Sequence, residues 1–318
     1  MLAIGLTSYG PPEVLQPLEV EEPHAAAGQV RIRVRAAGVN PADVMLRDGS
    51  LADWYTDVEP PFVPGMDITG TLDEVGPGLP DGFGLRVGDD VVAVVDNHGR
   101  HGGYSSFVVV PAASVTATPA RAGYPQAASF LMNALTARCA LDALALPAGA
   151  TVLVTGAAGA VGGYTVRLAA AAGLIPLAVA SRADEQLVRG FGARHFVSRD
   201  SPVTEQVREL VPDGVDGVVD TAMLHEAVVP ALRDGGAMAV LRFWDGAPGR
   251  GITVHPVNVR DHVTDHAAIG ALREQVEKGV LDLRVAATFP AEKAAEAHRR
   301  LEQGGVRGRL VLEFPPRP

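Results

Sequence analysis

Cysteine occurs once in the chain, at Cys139, which excludes an internal disulfide and any cysteine-based zinc site built within one chain. Lysine is almost as scarce. Lys278 and Lys293 are the two lysines among 27 basic side chains, against 37 acidic ones, and a formal charge of −10 gives no general attraction for nucleic acid or an anionic membrane. No basic stretch followed by an apolar signal segment opens the sequence, and the most apolar run, 168–180, is broken by Gly173 and Pro176. Neither a leader nor a membrane span is expected, and the expectation is a cytoplasmic protein. Internal repeats, heptads and low-complexity linkers are missing as well. What remains is 318 residues, 47% hydrophobic and 20% charged, enough for a large core and long enough to favour two domains.

The first 120 residues lack helical periodicity and carry short apolar runs at 30–36, 68–75, 90–95 and 107–110, broken by Gly and Pro. That pattern predicts a β-rich domain. From Ala127 helices alternate with apolar strands at 152–154, 177–180, 195–197, 215–219 and 237–241, predicting an α/β fold with a doubly wound parallel sheet. Beyond Asp261 follow a helix to Lys278, a strand at 283–288, a helix at 291–301 and a last strand at 309–313, a tail expected to return to the first domain. The expected division is 1–122 with 262–318, and 123–261.

Within the second part, 151–155 (TVLVT) is a short β-branched strand, and 162–172 suits a helix ending at Gly173. Between them stand Gly156, Ala157, Ala158, Gly159, Ala160, Val161 and Gly162, a strand–glycine turn–helix arrangement that predicts a nucleotide-phosphate site. Gly159 leaves no Cβ where the backbone approaches a pyrophosphate, Gly162 lets helix and strand pack closely, and the helix N-terminus offers N–H groups and partial positive charge. The first glycine of the usual G-x-G-x-x-G falls on Ala157, so the motif is a variant. A second strand, 175–180, ends in Ser181 and Arg182 with no carboxylate for the ribose hydroxyls, and Asp184 comes late for that role. A guanidinium and a small hydroxyl suit a 2′-phosphate, which predicts NADPH over NADH.

Several motifs taken together resemble one family along nearly the whole chain: 9–15 (YGPPEVL), 35–41 (RAAGVNP) with Asp43, 61–65 (PFVPG), 87–89 (VGD), Gly103 with Tyr104, 109–112 (VVPA), 135–137 (LTA), the glycine turn, 294–298 (AAEAH) and 308–312 (GRLVL). The chain resembles the medium-chain dehydrogenase/reductases, in the zinc-free quinone oxidoreductase branch related to zeta-crystallin. That resemblance implies a GroES-like β-rich catalytic domain formed by the two chain ends, a Rossmann domain between them, NADPH in the cleft and a homodimer. A strand near 252–257 is the edge at which a partner copy is expected to pair. Zinc-dependent relatives carry a catalytic cysteine at the position of Asn40 and a Gly-His-Glu element where this chain has Gly65, Met66 and Asp67. With those ligands replaced and no four-cysteine lobe, no metal is expected; His98 and His101, in a Gly-rich loop, read as solvated.

Hydride transfer without a metal suits an acceptor that is already electrophilic, a quinone or an alkene conjugated to a carbonyl. Asn40 is the candidate polar contact to substrate or nicotinamide, since its amide donates without titrating; its other reading is a turn residue before Pro41. The resemblance implies cofactor contacts at Thr136, Arg199 and Arg309. Met45 stands where many relatives carry a tyrosine, leaving Tyr55 and Tyr104 as the other tyrosines able to reach a pocket. Phe243 and Trp244 follow a strand end, and Trp54 with Tyr55 lies in an insertion, as candidate pocket walls or rim. Asp43, Asp67 and Asp220 lie near expected cleft edges, where a buried carboxylate suits proton transfer; for Asp43 and Asp67 the other reading is a loop-holding carboxylate. Neither lysine has a tyrosine four residues earlier, which excludes short-chain dehydrogenase chemistry. The function expected is an NADPH-dependent reductase of a quinone or enone. An enoyl-thioester reductase and a non-catalytic NADPH-binding sensor are the alternatives.

Overall fold

The computed structural model describes residues 1–79, 82–98, 102–242 and 244–315; His101 and Phe243 lie outside the described residues. The chain forms two compact units, one of Met1–Met132 with Val263 onward, the other of Asn133–His262.

In the first unit, β1 (Leu2–Gly5) and β2 (Gln16–Glu19) pair as an antiparallel hairpin. A larger sheet is centred on β3 (Gln29–Gly38), whose inward residues Val30, Ile32 and Val34 alternate with half-buried arginines. After α1 (Pro41–Asp48) come β4 (Asp67–Val75), β5 (Asp90–Val94), β6 (Phe107–Pro111) and β7 (Val115–Ala117). The first helix was not expected from the sequence. Its signals are terminal rather than periodic: Asn40 at the N-cap, Pro41 at the first position, Asp43 reaching back to the cap, and Gly49 at φ 87° closing it.

The short α2 (Tyr124–Ala127) also belongs to this unit, because Ala128 packs with Ala36 and Val311, and the Tyr124 hydroxyl donates to Asp90 at 2.7 Å. Those contacts explain why the unit ends at Met132, inside α3 (Leu131–Leu144), and not at the expected 122.

The second unit carries β8 (Thr151–Thr155), α4 (Ala160–Ala171), β9 (Ile175–Ala180), α5 (Glu185–Gly190), β10 (His195–Ser198), α6 (Val203–Leu210), β11 (Val215–Asp220), β12 (Leu232–Val240) and β13 (Thr253–Pro256). Its strands pair in the order β10-β9-β8-β11-β12-β13, every pair parallel. Val152, Leu153 and Val154 are fully buried, as a strand covered on both faces requires. The chain leaves β8 for β9 and β10 on one side and returns for β11 on the other. The carboxyl end of β8 is therefore the topological switch point, where such sheets bind ligands. The expected strand at 237–241 starts earlier, at Leu232; its first residues include the polar Arg233 and Asp234, which carry no strand periodicity.

The tail returns to the first unit with α7 (His266–Glu277), β14 (Val285–Pro290), α8 (Ala294–Glu302) and β15 (Arg309–Glu313). There β15 pairs antiparallel to β3 and parallel to β14, completing the order β14-β15-β3-β4-β5-β7.

Candidate functional site

At the switch point the chain turns sharply. Gly156 adopts φ +60°, a conformation glycine takes without the Cβ penalty, and a Cβ there would also stand 2.8 Å from Thr221 Oγ1. Gly162 is required by packing: its Cβ would sit 2.3 Å from the Gly156 carbonyl oxygen. Gly159 caps α4 in an extended conformation, with Gly156 O, at 3.1 Å, the one atom near a would-be Cβ. The Gly163 N–H makes the first intrahelical bond, to Gly159 O at 3.1 Å, and among the described residues no side chain accepts from the N–H groups of Ala160, Val161 or Gly162. The N–H groups of Ala160, Val161 and Gly162 thus open the helix without a side-chain acceptor, beside the positive end of its dipole. Ala157 differs from expectation: its N–H donates to Val179 O at 3.0 Å and is spent inside the sheet.

The turn is held from β11. Thr155 Oγ1 donates to Asp220 Oδ1 at 2.6 Å and accepts the Ala222 N–H at 2.9 Å, while Thr221 Oγ1 donates to Thr155 O at 2.6 Å. Asp220, fully buried, also accepts the His225 N–H at 2.8 Å. It fixes a loop. Thr155 and Thr221 went unnoticed in the sequence, where a threonine closing an apolar strand gives no signal of its cross-strand partner. On the same side Trp244 lies on the His225 ring, centroids 5.6 Å apart, and its Nε1 donates to Glu226 at 2.6 Å.

At the carboxyl ends of β9 and β10 the structure brings Ser181, Arg182 and Arg199 together. Ser198 pairs with Ala180, and the Arg199 N–H donates to Ala180 O at 2.9 Å, which places Arg199 beside Ser181. Arg182 is exposed, and the Arg199 side chain is 64% exposed. Ser181 Oγ donates to Asp184 Oδ2 at 2.5 Å. Thr136 is half-buried on α3.

Asn40 belongs to a buried polar cluster in the first unit. Its Nδ2 donates to Asp67 Oδ2 at 3.2 Å, its Oδ1 accepts Arg309 Nη2, and Arg309 Nη2 also reaches Asp67 Oδ2 at 3.1 Å. Met132 N–H donates to the other Asp67 oxygen at 2.6 Å. Arg309, expected at the cofactor, is here the buried counter-ion of Asp67, its side chain 4% exposed. Burial raises the Asp67 carboxyl above its ordinary range, and the Arg309 charge opposes that rise.

Asp43 accepts the N–H groups of Asn40 at 2.7 Å and Gly65 at 2.8 Å, yet burial pushes its carboxyl up to about 6. The Tyr104 hydroxyl stands 3.3 Å from Asp43 Oδ2 and 3.1 Å from His298 Nε2. Burial, with Asp43 alongside, drives Tyr104 well above 10. Burial and then the nearby Arg47 charge push His298 down to about 3. Arg47, buried, donates to Glu302 at 2.7 Å. Asp43 and Arg47 on α1 and His298 and Glu302 on α8 are each one helical turn apart, so two helices meet through two polar rungs. The structural weight of His298 and Arg47 was missed. Their spacing is visible in the sequence, but their partners lie far along the chain. Neither Tyr104, fully buried, nor Tyr55, 2% exposed and bonded to Asn97 at 3.0 Å, presents a surface hydroxyl; Trp54 is exposed.

Among the described residues no cluster of three or more His, Cys, Asp or Glu side chains is arranged to hold a metal ion, and no helix is long and apolar enough to cross a membrane. Residues 26–120 match the family model of the alcohol dehydrogenase GroES-like domain, and residues 191–312 that of zinc-binding dehydrogenases. The chain is 28% identical to a quinone oxidoreductase of Mus musculus, over 98% of this chain and 97% of the mouse protein. It is 29% identical to a 2-methylene-furan-3-one reductase of Solanum lycopersicum, over 99% of this chain and 80% of that one. Among solved structures, a probable oxidoreductase from Mycobacterium abscessus is 30% identical, with 99% of each chain covered and a TM-score of 0.81. A GroES-like β-rich unit, a parallel sheet in Rossmann order and these relatives give one conclusion: the chain belongs to the medium-chain dehydrogenase/reductases, a family of nicotinamide-dependent oxidoreductases, in its quinone oxidoreductase branch.

Proposed function

We propose that the chain is a zinc-independent, NADPH-preferring reductase of quinones or of alkenes conjugated to a carbonyl, acting as a homodimer. The observation that carries it is the uncapped N-terminus of α4 behind Gly156, Gly159 and Gly162, at the switch point of a parallel sheet. The Ala160, Val161 and Gly162 N–H groups would hold the pyrophosphate, with Ala158 lining the turn and Thr136 passing the nicotinamide ribose. Arg182 and Arg199 supply positive charge at the end of β9 and favour a 2′-phosphate. When bound, the dinucleotide supplies a hydride, two electrons and a proton nucleus, to a carbon made electrophilic by the acceptor's carbonyl. The acceptor completes its reduction by taking a proton from water.

Zinc independence rests on charge as well as on ligand identity. The Arg309 guanidinium contacts both Asn40 and Asp67, which puts a cation where a metal would need its donors, and Met66 is 4% exposed in the place of a histidine. Asn40 keeps one Nδ2 proton beyond its bond to Asp67, and that is the donor it has left for an acceptor oxygen. The free edge of β13, at Thr253–Pro256, is the proposed line of pairing with a partner copy.

The test is NADPH oxidation across a panel of quinones and enones, with NADH in parallel and a chelator present. Chelator-resistant turnover preferring NADPH is expected, and the best acceptor separates quinone from enone chemistry. NADPH binding without turnover of any acceptor would establish the sensor reading instead, which the replacement of tyrosine by Met45 favours.

A further inference from the structure

The hydroxyl of Ser181 has one proton, and the structure shows where it goes: to Asp184 Oδ2, at 2.5 Å, while the Asp184 N–H returns to Ser181 O at 2.9 Å. Asp184 is 8% exposed, the only buried residue of the 3-10 turn that follows β9, and the two residues before it, Arg182 and Ala183, are exposed. A serine oriented in this way faces outward with lone pairs. A 2′-phosphate brings oxygens that accept hydrogen bonds and donates none at neutral pH, so it meets lone pairs at Ser181 and a carboxylate behind them. A ribose 2′-hydroxyl brings a donor, and Ser181 as oriented can accept it. The same strand end therefore carries two opposed preferences: Arg182 and Arg199 attract a phosphate, and the Ser181–Asp184 pair is complementary to an unphosphorylated ribose.

We propose that Asp184 sets the cofactor selectivity of this site by holding Ser181 as an acceptor, so that the protein binds NADH as well as NADPH and the preference for NADPH is narrow. This rests on the reading of the β8–β9 turn as a dinucleotide site. Asp184 acts through Ser181 and through its charge, as a positioning residue.

The experiment measures dissociation constants of NADPH and NADH for the full chain and for Asp184→Asn, Ser181→Ala, and Arg182→Ala with Arg199→Ala, with far-UV circular dichroism confirming the fold of each. Asparagine removes the charge and offers an N–H to Ser181 Oγ, which frees the hydroxyl proton for a phosphate. The ratio of NADPH to NADH affinity is expected within about tenfold for the native chain and to rise about tenfold in Asp184→Asn, the scale of one unit charge a few ångströms from a phosphate in wet surroundings. Ser181→Ala should raise the ratio by weakening NADH, and the double arginine variant should lower it. An unchanged ratio in Asp184→Asn, or a fall in Ser181→Ala, overturns the proposal while leaving the dinucleotide site intact. Failure of the native chain to bind either dinucleotide overturns the site and the proposal together.

Discussion

Replacing His298 by glutamine should change how stability depends on pH, and by a calculable amount. His298 is fully buried on α8 and pushed down to about 3, below the ordinary histidine value of 6.5. The unfolded chain binds a proton near 6.5 that the folded chain refuses, so stability falls as pH drops, by about 1.4 kcal/mol per unit, until 3 is reached. Asp43 works in the opposite sense. Raised to about 6 from 3.8, it binds its proton more tightly when folded, so stability rises as pH drops from about 6 towards 4. Over pH 6 to 4 His298 contributes about 2.5 kcal/mol and Asp43 about 2 kcal/mol, so the two largely cancel. Glutamine keeps a polar partner for Tyr104 and does not titrate. Relative to the native protein, His298→Gln should therefore gain about 2.5 kcal/mol between pH 6 and pH 4, whatever its stability at pH 7. Urea unfolding at half-unit steps, with hydrogen exchange of β3 amides reporting on the β-rich unit, measures the difference. A difference that stays constant with pH, or a His298 imidazole that titrates near 6.5 by NMR, refutes the argument.

The other expectations concern backbone, charge and metal. Gly162→Ala forces a Cβ against the Gly156 carbonyl, so it should cost about 1–3 kcal/mol and abolish dinucleotide binding; retained affinity in a titration would show that the turn does not form the site. Arg309→Met leaves Asp67 buried without its cation and should lower stability by about 3–5 kcal/mol, much of it recovered on adding Asp67→Asn; a double variant no more stable than the single one would deny the pairing. Exhaustive chelation should leave turnover and melting temperature unchanged, and a loss restored by zinc would refute the metal-free reading.

How much was legible depended on whether the signal was local. Strands such as β8, β9 and β11 are short and rich in buried apolar residues, valine in all three, and the glycine turn after β8 follows from a spacing that close packing demands. α1 was missed because eight residues carry too little periodicity, and its Asn-Pro cap reads equally well as a turn. The boundary at Met132 depends on Ala128 meeting Ala36 and Val311, a contact no window of sequence contains. Ser181 and Arg182 were visible as a polar strand end, but the direction of the Ser181 proton required Asp184 to be placed.

The buried cluster shows the same limit and what it conceals. Asn40, Asp67 and Arg309 could each be singled out by type, but their meeting joins the end of β3, the start of β4 and the start of β15. Two carboxylates and one guanidinium share that interior, so full ionisation would leave an excess negative charge in a dry place. Asp67 takes the cation and Asp43 is held by two N–H groups and Tyr104, and burial raises both carboxyls above their ordinary range. Ion pair and N–H groups together fix the backbone at Asn40, Gly65 and Met132. The loop around Asn40 is thus ordered by its own charges and N–H donors, from three segments far apart in the chain.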